Sequence, residues 1–287
     1  MARAIAFAGA PARFLVMLLV LGFVTTSIVR LAPGYGTDER ELDSRLSNES
    51  IDAVRIGKGQ SNLLTGYLLF LQSAMKGDFG FSETLNRPVA DLIRQRYLTS
   101  VRILSLGWLL AWFLALLLAG FVQVWDARLM SFLGTAISGG VLCVPSALLA
   151  YLCYLARSPA LVVVALVIFA RVFRVLDNLF QAEAQRAYVS AAKAFGIADA
   201  VIFFRHLLAA VWPQLAGLAS ASVAIAVSAT IAAEALCGEP GLGQLAWRAA
   251  LARDLPLLVS LTLMIGALTM TFHRMADFAT ERRGRRA

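Results

Sequence analysis

No G-x-x-x-x-G-K-S/T phosphate loop occurs in the sequence, which excludes ATP hydrolysis by that mechanism within the chain. The G-x-S-x-G nucleophile elbow is missing too. Histidine is scarce, with only His206 and His273, and no His/Cys/Asp/Glu cluster has metal-ligand spacing. The three cysteines, Cys143, Cys153 and Cys237, lie in or beside apolar runs without a C-x-x-C pair, the pattern of buried inert thiols. Charged residues make up only 15% of the chain. No carboxylate falls deep in an apolar run, where a proton-driven carrier is expected to keep one. Glu234, near the end of an apolar run, and Asp254 are both expected on the outer side and lie twenty residues apart, so they form no acid–base pair. Enzyme chemistry finds no foothold here.

What is present is apolar length. Hydrophobic residues make up 59% of 287, and the mean hydropathy is +0.73. Soluble domains hold roughly 45–50%. Several runs reach the roughly 20 residues needed to cross the hydrocarbon core, so the expected fold class is an all-α polytopic membrane protein. The net charge of +8 fits loop arginines better than a nucleic-acid surface, because no basic patch is interleaved with aromatics outside the runs.

The first run, Phe14–Ala32, follows Arg3 and Arg13. It reads as an uncleaved span rather than a signal peptide, being long for an h-region and lacking a small-x-small site. Pro33–Ser100 is the least membrane-like part. It opens on the breaker cluster Pro33–Gly36 and a charged stretch, followed by an apolar segment (Asn62–Met75) suited to an amphipathic helix. In GDFGFS, Gly77 and Gly80 mark a turn, and Pro88-Val89 starts a short helix. Further spans are expected over Val101–Val124, Phe132–Leu155, Ala160–Leu176, Ala209–Leu236 and Pro256–Phe272. The third contains Pro145-Ser146, either a packing kink or a bend lining a path. Arg171 and Arg174 are expected in the last turn of the fourth, snorkelling to the interface. The fifth is rich in Ala and Ser, residues that let helices approach closely.

Six spans with an inner N-terminus place thirteen Lys and Arg residues in inner segments, against Arg157, Arg248 and Arg253 in the short outer loops. The positive-inside rule therefore puts both termini in the cytoplasm. The polar stretch between spans four and five is then cytoplasmic. In it, Tyr188, Ala191, Ala192, Phe195 and Ile202 share an apolar stripe at helical spacing. Gly196 breaks the helix, Asp199 caps the next turn, and Arg205 and His206 hold the fifth helix at the interface. Such a segment is either a plain connecting helix or a surface for a partner that supplies energy.

Four motifs resemble the integral-membrane permeases of ATP-binding-cassette importers, and within them the first permease of the peptide/nickel/opine class. YVSAAKAFGIADAVIFFRH is similar to the family's loop signature, matching at Tyr188, Ala191, Ala192, Lys193, Gly196, Arg205 and His206. GDFGFSETLNRPVADLIRQR (77–96), Pro145-Ser146, and EALCGEPGLGQLAWRAALARDLP (234–256) match further blocks in family order. Ser190, Leu236 and Tyr97-Leu98 depart from the family pattern. The resemblance implies a type I importer transmembrane-domain fold over 97–280, preceded by a first span and a periplasmic segment over 1–96. It implies a coupling helix near 188–206 for two ATPase subunits, and pore or gating candidates at Pro145, Ser146, Glu234, Pro240, Gly241 and Gly243. The implied partners are a second homologous permease, the ATPases, a periplasmic or lipid-anchored binding protein and membrane lipid. No metal or cofactor is implied in this chain, ATP and Mg being bound by the ATPases. The implied location is the bacterial inner membrane, and peptides are the default cargo. The alternative is a secondary carrier or channel acting without ATPase subunits.

Overall fold

The computed structural model describes residues 2–31, 63–82, 84–125 and 127–284; the charged stretch 37–59 lies outside them. The described chain is helical apart from one short antiparallel hairpin, β1 (Phe81–Ser82) with β2 (Arg87–Pro88). The helices are α1 (Ala2–Leu31), α2 (Leu63–Met75), α3 (Val89–Trp125), α4 (Arg128–Cys143), α5 (Ser146–Leu155), α6 (Ala160–Ala184), α7 (Ala187–Ala194) and α8 (Asp199–Ile202). A π-helical turn (Phe203–Leu207) follows, then the single turn α9 (Leu208–Ala210), α10 (Trp212–Cys237), α11 (Leu242–Ala252) and α12 (Leu255–Gly284).

Among the described residues, three helices are long and apolar enough to cross a membrane: Phe14–Leu31 within α1, then α3 and α10. The pair α4–α5 makes a fourth if it is one broken span. Helix α6 misses the criterion because Arg171, Arg174 and Asp177 interrupt its apolar run, and the apolar part of α12 is the short Leu255–Thr271. Three expectations change. The short helix starting near Pro88 and the second span are one 37-residue helix, α3, since no proline or glycine interrupts the sequence between them. The third span is not kinked but broken, with α4 and α5 bent by 101° at Val144-Pro145. The fourth helix runs eight residues past Leu176 to Ala184, so Arg171 and Arg174 lie inside it rather than in its last turn.

The contacts divide the chain into two compact units, residues 1–95 with 246–267 and residues 96–245 with 268–287. In the first, α2 packs on α1: Tyr67 is buried, donates its hydroxyl to the Leu19 carbonyl at 2.8 Å and meets Phe23 edge-on. Gly77 and Gly80 both have positive φ, as the GDFGFS turn requires. Buried Ser82 donates to Asp254 Oδ2 at 2.5 Å, and Asp254 Oδ1 accepts from Leu257 N–H at 3.3 Å, pinning the hairpin to the start of α12.

The second unit holds the main core. Helix α6 is its centre, with Val163, Val164, Val172, Phe173, Leu176 and Phe180 fully buried against α3, α4, α5 and α10. Close approach depends on small residues: a Cβ on Gly107 would meet the Val164 side chain at 2.9 Å, and one on Gly134 would meet the Phe173 ring at 2.6 Å. Ser222 of α10 accepts from the indoles of both Trp108 (2.8 Å) and Trp112 (3.1 Å), a polar tie suited to an apolar solvent. Cys153 is buried as expected, but Cys143 is exposed, because α4 ends there at the break.

Candidate functional site

The residues 187–207 form an elbow of short helices rather than one docking helix. Helix α7 ends in a Schellman motif: Gly196 N–H donates to Lys193 O (2.9 Å) and Ile197 N–H to Ala192 O (3.2 Å), with Gly196 at φ +77°. Nothing lies within 4 Å of where a Gly196 Cβ would sit, so glycine is required there for its backbone, not for space. Lys193 pairs with Asp199 at 2.8 Å across the bend. Asp199 is therefore a strut, and the N-cap of α8 is Ala198, which offers no side-chain cap. This corrects the expected capping role of Asp199.

The elbow is two-faced. Val189, Ile202, Phe203 and Leu207 are buried in the main core, and Ala192 packs against it. Ile202 therefore leaves the outward stripe in which the sequence had put it. The outer face keeps Tyr188 (40% exposed) and Ala191, and is dominated by Phe195 at 85%. Ile197, Val201 and Phe204 extend it, and helical spacing alone missed them because the chain turns twice between them and α7. Tyr188 donates to Glu183 Oε1 at 3.0 Å, and Glu183 also pairs with Arg186 at 3.1 Å. Partial burial, with the Glu183 carboxylate second, pushes the Tyr188 phenol above its ordinary range. Arg205 and His206 are exposed on the wide π turn that leads into α10, whose first turn carries Pro213.

The remaining candidates fall into two separate places. Pro145 and Ser146 form the α4–α5 break. Glu234, Gly241 and Gly243 form a closed box at the start of α11, and exposed Pro240 only leads the chain into it. Glu234 is completely buried, not open to the outside as its position near the end of the run had implied. Its Oε2 accepts the Gly243 N–H at 2.6 Å, so the carboxylate serves the N-terminus of α11. The reason for the burial is the two glycines. A Cβ at Gly241 would collide with the Glu234 carboxyl, and one at Gly243 would lie 2.6 Å from the Ile231 backbone. Ser100 Oγ completes the box by accepting from Leu242 N–H at 2.7 Å.

A buried clasp went unread in the sequence. Asp177 of α6 accepts from Ser131 of α4 (2.8 Å) and from Gln181 (2.9 Å), about two turns before the end of that helix. A polar residue on the buried face of an otherwise apolar helix is the signal that would have found it. Among the described residues no group of His, Cys, Asp and Glu can hold a metal ion.

Comparison of the sequence with known proteins matches it to a transport family. The family model described as binding-protein-dependent transport system inner membrane component covers residues 4–286. The chain is similar to the oligopeptide transport system permease protein OppB of Haemophilus influenzae, 28% identical over 284 residues and covering 91% of each chain. The OppB proteins of Salmonella typhimurium (282 residues) and Escherichia coli K12 (285 residues) are also 28% identical, covering 88% of each chain. A helical, multi-pass membrane chain matched almost end to end by one family model is a transport permease and not an enzyme: it belongs to the inner-membrane components of binding-protein-dependent transport systems.

Proposed function

We propose that this permease forms half of the pore of an ATP-driven peptide importer and that the 187–207 elbow is where an ATPase subunit pushes. The observation that carries the proposal is the exposed apolar platform of Phe195, Ile197, Val201 and Phe204, seated on the buried Val189, Ile202 and Phe203. An apolar surface backed rigidly by the core can transmit a push, whereas a loose connecting loop would absorb it. Six spans with both termini cytoplasmic put the platform on the ATPase side. The excess of inner Lys and Arg holds even when Arg171 and Arg174 are assigned to the span and left out of the count.

In this mechanism the chain pairs with a second homologous permease. A periplasmic or lipid-anchored binding protein delivers cargo to the outer face of the bacterial inner membrane. Two ATPase subunits bind MgATP and close, and their differential contact with the elbow in the two pore states shifts the inward/outward equilibrium. Peptide cargo is carried over from the names of the relatives. Within the docking set, Tyr188, Ala191 and Phe195 meet the ATPase. Gly196 and Lys193 shape the elbow, Ala192 seats it, and Arg205 with His206 anchors the following helix.

Phe195→Ala and Ala191→Trp, each in the reconstituted complex, test this reading. Cargo-stimulated ATPase activity should fall at least about tenfold, the loss of a hot-spot contact worth more than about 1.4 kcal/mol. The melting temperature of the permease should stay unchanged, because both side chains point away from the core. Full cargo-stimulated activity in both variants would refute the elbow as the docking surface.

A further inference from the structure

We propose that Arg171, facing the cavity at the α4–α5 break, is a binding point for a carboxylate of the transported cargo. The inference rests on the importer reading above and adds a substrate-recognising residue inside the spans. A cavity of about 250 Å³ opens at the break, lined by Val141, Pro145 and Ser146 from the two half-helices, by Val167 and Arg171 from α6 and by Ile225 from α10. Its walls are mostly apolar. Among the described residues, Arg171 is the one charged residue on them.

Depth makes this arginine unusual. It lies eleven residues after Ala160 along α6. With α6 as the fourth span of the importer reading and Ala160 at its outer edge, about 1.5 Å per residue puts Arg171 roughly 17 Å in, past the middle of a hydrocarbon core about 30 Å thick. Arg171 forms no ion pair or hydrogen bond with any described residue. A lone guanidinium at that depth is too costly to face lipid and is expected to face an aqueous path or an anionic partner. The guanidinium presents a planar fork of donors that matches a carboxylate. The opposite wall adds charge of the same sign. The first turn of α5 has Pro145 at its N-cap and no side-chain cap, as at the broken helices of other transporters. Arg171 supplies the charge, and the helix start reinforces it.

A peptide with a free C-terminus carries such a carboxylate, and its amide does not. The test uses the complete transporter in proteoliposomes with two probes, trialanine and trialanine amide. The uptake of each by Arg171→Gln is divided by that of the unsubstituted transporter. The same binding protein serves both, so its own preference cancels in the ratio. Trialanine uptake should fall at least tenfold in Arg171→Gln while amide uptake stays within twofold. Arg174→Gln, one turn further along α6 and outside the cavity lining, should change neither. Equal losses for both probes, or no loss for either, overturns the proposal.

A second measurement does not depend on transport. Leu149 of α5 also lines the cavity, so Leu149→Cys, in a background with the three native cysteines replaced by serine, puts a thiol on its wall in the full chain in membranes. An anionic methanethiosulfonate should label it several-fold faster than a cationic one, and Arg171→Gln should abolish that preference. If neither probe is transported but the anionic preference holds and needs Arg171, the peptide-importer reading fails and the anion site stands. Absence of the preference removes the site itself.

Discussion

The elbow at 187–207 and the box around Glu234 are built from similar residue types, glycine beside charge and small residues, yet they obey opposite physics. In the elbow, Gly196 stands in open space and is required only for a left-handed backbone. In the box, Gly241 and Gly243 are required because no Cβ fits beside Glu234 and Ile231. The charges differ in the same sense. Lys193 and Asp199 pair in solvent, at 57% and 45% side-chain exposure, whereas Glu234 is wholly enclosed. A motif that leaves its apolar residues outside is made to meet something. A motif that closes on itself is made to hold the chain.

Gly241→Ala should break the box most severely. Its new Cβ falls on a buried carboxyl with no room to retreat, and overpacking of that kind costs about 1–3 kcal/mol, occasionally more. A large fall in melting temperature of the purified chain is the expected result, with much less protein recovered from the membrane. Since the clash is with one side chain, Glu234→Ala should relieve part of the loss in the double variant, a coupling that a double-mutant cycle measures. Gly241→Ala melting like the parent would mean that the box is loose, and the contrast between the two regions would collapse.

Gly196→Ala tests the other half of the comparison and should cost less. Only the backbone at φ +77° resists, a penalty of roughly 1–2 kcal/mol for a residue with a Cβ. Asn tolerates this region better than Ala, so Gly196→Asn should keep more of the stability. If both variants melt together, the left-handed conformation is not what selects glycine at this position.

The sequence told these two regions apart only in part. Apolar length located the helices α1, α3 and α10 to within a few residues at most ends, because burial in lipid is a property of composition. Pro145 announced a disturbance but not its size, since the 101° bend depends on where α6 and α10 leave room. Arg171 was misread because hydropathy falls at the arginines, although Val172, Phe173, Leu176 and Phe180 carry the buried face onward. The elbow was legible as a motif but not as a shape: periodicity runs on through Gly196 and puts Ile202 on the wrong side. The enclosure of Glu234 was hidden altogether. It is made by a chain that returns seven residues later to lay Gly241 and Gly243 against it, and no local periodicity records such a return.

The smallest expected effect discriminates best within the elbow. Lys193 matches the family's docking signature, yet in the fold its ammonium is engaged by Asp199 at 2.8 Å. An ion pair this exposed contributes about 0–1 kcal/mol and weakens with salt. Lys193→Ala should therefore shift the melting temperature only slightly, and less at high ionic strength. Cargo-stimulated ATPase activity should stay within about twofold of the parent, well under one hot-spot contact. Lys193→Asp with Asp199→Lys should restore the pair with its charges exchanged and behave like the parent. A lysine that touched the ATPase would respond differently: Lys193→Ala would uncouple as strongly as Phe195→Ala, and the charge exchange would not rescue it. That outcome would move Lys193 from the frame of the elbow to its working face, and the platform would then recognise its partner by charge as well as by apolar contact.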